Sequence, residues 1–309
     1  MSKPRNRKNP RSPSPTVEAR VQAIAEAVDT AWHRAHGYGD LEVPASVVAG
    51  LSLLAPPHSD RAAVADEITG LDTDQFATFM RQQWQVFINI RPDLITPAWP
   101  LISVWHGADP ISDTTLDAAP AVAHAALRAG QFHVTGIREA RWDVDLFGVL
   151  LQRMRSSNAA SAHGQFYTPA PMSEAMATLL DIPDGARVYE PSVGTGGMLR
   201  AAAQAMRAHG RDPASATWFA NDIDDVAVAC LAVNVVLWEL GNKVVIAVAN
   251  SLTDDWMDRA LAQRNEVLGI AHDVRQVREM QRLLGLVQAL TEPADDEQQS
   301  PSRAGDDAA

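Results

Sequence analysis

The residues of this 309-residue chain whose types and spacing suit chemistry lie between positions 186 and 252. A short apolar run, ARVYEP, leads into SVGTGG and then into the Ala-rich stretch MLRAAAQAMRAHG, so Gly194, Gly196 and Gly197 fall in a turn between a strand and a helix. Glycines at such a turn let a ligand approach the backbone, and the following helix presents free N–H groups. A second apolar run, ATWFANDID, ends in acids, and Asp222 is suitably placed there to accept hydrogen bonds from ribose hydroxyls. The implied ligand contains an adenosine-like ribose. Met198 and Leu199 follow Gly197, so the GxGxxG dinucleotide fingerprint is absent. Glu190 adds a carboxylate beside the turn, favourable to a sulfonium or amine and unfavourable to a pyrophosphate, which points to S-adenosylmethionine over NAD.

These residues need elements to position them. After ATWFANDID come a second helical stretch, DVAVACLAVNVVLWELG, and a third strand run, KVVIAVANSL. Alternating strands and helices predict a parallel sheet of βαβ units with right-handed crossovers. Residues 17–155 read instead as helices. VEARVQAIAEAVDTAWHRA places Val21, Ile24, Ala25, Val28 and Trp32 on one face, and Gly37 and Gly39 end it. PASVVAGLSLLA, DTDQFATFMRQQWQVFIN with Asp72 or Asp74 as N-cap, AAPAVAHAALRAG and VDLFGVLLQRMRS follow, with breaks expected at prolines and glycines. Trp32, Trp84, Trp99, Trp105 and Trp142 are expected in the core. The predicted organisation is a disordered basic arm (1–16), a helical N-terminal domain (17–155), a cofactor-binding α/β domain (156–290) and a disordered acidic tail (291–309).

Composition bounds the function. With 46% hydrophobic and 21% charged residues, the chain has the balance of a soluble folded protein, and no run approaches the roughly 18 apolar residues of a membrane span. No apolar stretch follows the basic N-terminus, which speaks against a signal peptide and for a cytoplasmic location. A single cysteine, Cys230, and the lack of an HExxH pair argue against structural metal. The basic and acidic ends offset each other, leaving the body with the formal net charge of -12. That charge disfavours tight, unaided attraction to a phosphate backbone.

HGQFYTP at 163–169, EPSVGTGGML at 190–199, NDID at 221–224 and ANSL at 249–252 occur in one ordered series. Together they resemble the N6-adenine DNA methyltransferases, particularly the modification subunit of type I restriction systems, over roughly residues 140–255. The resemblance implies a Rossmann-like S-adenosylmethionine-dependent core behind a helical N-terminal domain. It implies that Phe166, Tyr167, Thr168 and Pro169 help hold the methionine end of the cofactor, that Glu190, Gly194 and Gly196 line it, that Asp222 binds its ribose and that Asn250 faces its adenine. It also implies methyl transfer to adenine N6 in DNA within a restriction-modification or defence system.

The resembled family positions the adenine amino group with an Asn/Asp-Pro-Pro-aromatic motif after a fourth strand. No such motif occurs here. The only Pro-Pro pair, Pro56-Pro57, follows Ala55, precedes His58 and reads as a helix stop. Where the motif is expected, Val267, Ile270, Val274, Val277, Met280, Leu283, Leu284, Val287 and Leu290 fit one long amphipathic helix. No catalytic residue is therefore assigned. Two readings stay open: a DNA adenine-N6 methyltransferase-like protein, or a catalytically inactive cofactor-binding subunit or truncated remnant that needs a partner chain. DNA would be reached through a partner or specificity subunit. The helix near 258–290 would cover the protein's own sheet or meet a protein partner, the former being the more ordinary outcome.

Overall fold

A computed structural model describes residues 15–291 apart from 38, 110, 137, 158–169 and 254. The basic arm, the acidic tail and the GQFYTP segment, including Phe166, Tyr167, Thr168 and Pro169, lie outside the described residues, apart from the margins at 15–16 and 291.

The N-terminal part is helical, as its periodicity predicts. It comprises α1 (Val17–Ala35), α2 (Glu42–Ser52), α3 (Arg61–Thr69), α4 (Thr73–Ile90), α5 (Ile95–His106), α6 (Asp113–Arg128), α7 (Phe132–Thr135), α8 (Arg138–Asp143) and α9 (Leu146–Ser157). Asp72 is the N-cap of α4 and forms a reciprocal capping box with Gln75. The expected breaks at prolines do not all occur: α5 runs through Pro100 and α6 through Pro120. An interior proline costs a helix about 3 kcal/mol. Here Leu101, Ile102, Ala119 and Val122 are buried beside those prolines and offset it through packing. Trp32, Trp84 and Trp105 are core residues as expected, whereas Trp99 is exposed.

The second part begins with α10 (Ala170–Thr178) and alternates β1 (Arg187–Pro191), α11 (Gly197–Ala208), β2 (Thr217–Asp222), α12 (Asp225–Leu237) and β3 (Val244–Val248) before the long α13 (Trp256–Thr291). The strands form a parallel sheet in the order β1-β2-β3, with Glu190 opposite Ala220 and Asp222 opposite Val248. Both predicted ligand-side acids therefore sit at the same end of the sheet.

Strand alternation divides the sheet into two faces. Trp218, Ala220, Val244 and Ile246 join a core shared with α11, α12 and the N-terminal helices. Phe219 and Val245 point the other way, where Trp256 and Ala260 from the first turns of α13 cover them. Helix α12 contacts β2 and β3 as well as α2 and α5. Its sequence is apolar all round because it is enclosed all round. Residues 1–267 make up one compact unit and residues 268–309 a second. The expected sheet-covering role of the final helix thus holds for its first turns, while Ile270, Val274, Val277, Met280, Leu283 and Leu284 are exposed.

Candidate cofactor site at the carboxyl ends of the strands

The turn after β1 bends sharply through left-handed backbone at Ser192 (φ 60°), Gly194 (54°) and Gly196 (98°). Ser192 adopts this conformation without being glycine, so the surroundings must hold it there. Part of that hold comes from the next strand. Asp222 accepts a hydrogen bond from the Gly194 amide through Oδ2 (2.7 Å) and from the Asp224 amide through Oδ1 (3.0 Å). The Val193 amide donates to the Asn221 carbonyl (3.0 Å). Each carboxylate oxygen has a second lone-pair direction, so Asp222 retains acceptor capacity while clamping the turn.

A second clamp was not found by reading the sequence. Asp145, just before α9, accepts from the Thr195 hydroxyl (2.5 Å) through Oδ2, and from the Gly148 amide (2.9 Å) and the Asn234 side-chain amide (3.1 Å) through Oδ1. Asn234 also donates to the Thr195 carbonyl (2.9 Å). Thus the N-terminal helices, the glycine turn and α12 meet at one carboxylate. Burial pushes its carboxyl above the usual range, partly countered by the bonds from Thr195, Gly148 and Asn234 and by the nearby Arg200 charge. Gly148 was the available signal: a glycine within the apolar helical pattern LFGVLL marks a close approach. A Cβ there would lie 2.4 Å from Asp145 Oδ2 and 3.0 Å from Thr195 Oγ1.

The glycines of the turn have different tasks. A Cβ at Gly196 would come within 2.5 Å of Leu231 and 2.9 Å of Trp238, so this glycine serves packing against α12. At Gly197 a Cβ would meet nothing within 4 Å, which leaves that position facing open space. Gly197 begins α11, whose N-terminus has no side-chain cap. Opposite, Arg155 of α9 pairs at 2.6 Å with Asp224, the N-cap of α12.

Glu190 is partly buried on β1, and burial raises its carboxyl above the ordinary glutamate range. Among the described residues no side-chain hydrogen bond or ion pair stabilises its charged form. Asn250 lies just beyond β3, where its side chain accepts from the Leu252 amide (3.0 Å) and shapes the turn. Ile223, which reading by charge and glycine pattern passed over, directly follows Asp222 and is strongly exposed. Its position offers an apolar surface at the end of β2. Among the described residues, no group of three or more His, Cys, Asp and Glu is arranged to hold a metal ion, and no helix is long and apolar enough to cross a membrane.

The family comparison agrees with the motif series. The N-6 DNA Methylase family matches residues 144–269, a span from the residue before Asp145 through the sheet into α13. Among solved structures, the chain is similar to the type I restriction-modification system methyltransferase subunit from Streptococcus thermophilus, with a TM-score of 0.43 and 14% identity. That match covers 78% of this chain and 60% of the other, so this chain spans less than two thirds of that subunit's length. No curated protein matches the sequence.

Proposed function

With residues 144–269 matching the N-6 DNA methylases, we propose that this protein binds S-adenosylmethionine and serves DNA adenine-N6 methylation in a restriction-modification or defence system. The observation that carries the reading is the doubly clamped glycine turn, tied to Asp222 from the sheet and to Asp145 from beneath. The residues fit such a cofactor. Glu190 presents a desolvated carboxylate whose charged form has no partner among the described residues, a setting that a cationic sulfonium or ammonium relieves. Asp222 has acceptor capacity for ribose hydroxyls, and Gly197 leaves room at the turn. The family resemblance adds Phe166, Tyr167, Thr168 and Pro169 at the methionine end and Asn250 at the adenine. Bound, the cofactor supplies an electrophilic methyl group.

The acceptor side needs a further contribution. Adenine N6 is a weak nucleophile, and its transfer chemistry rests on positioning. The 309 residues contain no Asn/Asp-Pro-Pro-aromatic motif to provide it. The second reading, a cofactor-binding subunit whose acceptor-positioning residues come from a partner chain, is favoured by β1. This strand carries Glu190 yet is an edge of the sheet among the described residues, with Tyr189 exposed. Recruitment through a partner or specificity subunit also suits the net charge of -12.

Isothermal titration with S-adenosylmethionine tests the shared premise. Saturable binding by the wild type is expected, with loss in Gly194→Asp, which puts a side chain and a negative charge into the turn. Absence of binding, with and without DNA, overturns the cofactor reading. Transfer of a labelled methyl group to DNA by the purified chain alone would then decide for the first reading over the second.

A further inference from the structure

The exposed part of α13 carries a regular apolar pattern. Val267, Ile270, Val274, Val277, Gln281 and Leu284 follow one another at alternating steps of three and four residues. This is the a/d spacing of a coiled coil, with Val267, Val274 and Gln281 at a and Ile270, Val277 and Leu284 at d. Ile270, Val274, Val277 and Leu284 are 57%, 43%, 56% and 57% exposed, so the seam presents its apolar side chains to solvent over successive turns. A stripe of this length exposed in water is a contact surface.

We propose that residues 267–284 pair with the same segment of a second copy of this chain as a parallel, two-stranded coiled coil. Two features select this occupant. Gln281 at the remaining a position provides a polar pair that is satisfied only when the two copies are in the same register. The flanking charges are self-complementary: Asp273 occupies g and Arg278 the e position five residues on, both exposed. In a parallel pair, g faces e of the partner helix, giving two symmetry-related Asp273–Arg278 contacts. An antiparallel pair sets g against g and e against e, which brings Asp273 to Asp273 or Met280 and loses both contacts.

Sedimentation equilibrium of the full chain over a hundredfold concentration range tests this. The expected result is a reversible shift from the 33.4 kDa chain mass to twice that value. The double substitution Val274→Asp and Val277→Asp should abolish the shift while leaving the circular dichroism spectrum and cofactor titration unchanged. Strand direction is read separately from Val277→Cys oxidised with copper-phenanthroline, since the native Cys230 is buried. In parallel, in-register helices the introduced thiols of the two copies face each other across the seam and form an intermolecular disulfide. A monomer at every concentration, a dimer indifferent to the double substitution, or failure of that cross-link in a dimer overturns the proposal. None of these outcomes depends on methylation activity.

Discussion

β1 and β2 lie side by side, run parallel and bring an acid to the same end of the sheet, but their surroundings differ. β2 has a strand on each side, and Trp218, Phe219, Ala220 and Asn221 are all buried. β1 has one neighbour among the described strands, and its burial alternates between exposed and intermediate. The acids follow suit. Asp222 is held by two backbone amides, whereas Glu190 is desolvated with no compensating bond among the described residues. An acid with two donors organises the turn, and one without them among the described residues carries the cost of burial in its charged form.

The contrast breaks most completely when the turn between β1 and α11, which Asp222 of β2 clamps, is forced open. Gly196→Val drives a side chain into Leu231 and Trp238 at a φ of 98°. The combined overpacking and strain should cost about 3–5 kcal/mol in urea unfolding. Gly197→Ala, one residue on, should stay within about 0.5 kcal/mol because its Cβ enters open space. Equal costs at the two positions would refute the division between a packing glycine and an outward-facing one.

Releasing the clamp from beneath should have the next largest effect. Asp145→Ala strands three donors and should cost about 2–3 kcal/mol, whereas Asp145→Asn keeps the shape and an acceptor and should cost less than half as much. The raised carboxyl also fixes a sign. The folded state holds its proton to higher pH than the unfolded state, so this group lowers stability as pH climbs from the ordinary aspartate range through the raised value. Asp145→Asn should flatten that decline, and an unchanged pH profile of the unfolding midpoint would contradict it.

Asp222→Ala removes two charge-assisted bonds at a partly exposed position and should cost about 1 kcal/mol. Its larger signature should be loss of S-adenosylmethionine binding by titration. Glu190→Gln sharpens the comparison with the smallest change in stability. Because burial raises the Glu190 carboxyl, the glutamine variant should gain stability relative to wild type as pH rises above the ordinary glutamate range. It should nevertheless bind the cationic cofactor more weakly. Equal affinity in the two proteins would remove Glu190 from the cation's surroundings.

Much of this architecture was legible in the linear chain because it is encoded locally. ARVYEP, ATWFAND and KVVIAV contain the three observed strands, and the glycine turn and Asp222 fall at the predicted end of the sheet. Asp72 could be named, together with Asp74, as a candidate α4 cap because capping joins residues three apart, and the structure selects Asp72. The path of α5 and α6 through prolines was not legible, since a proline's local penalty is visible in sequence and the burial that offsets it is not.

The sequence by itself determined the βαβ order, the position of the turn and the kinds of side chain available around it. Only tertiary structure decided that Asp145 and Thr195, 50 positions apart, share a hydrogen bond, that Gly196 serves α12 while Gly197 faces outward, and that Glu190 lies on an edge of the described sheet. The physical reason is range. Periodicity and turn chemistry record interactions within a few residues, whereas the donors that meet a carboxylate depend on which faces of distant elements pack together.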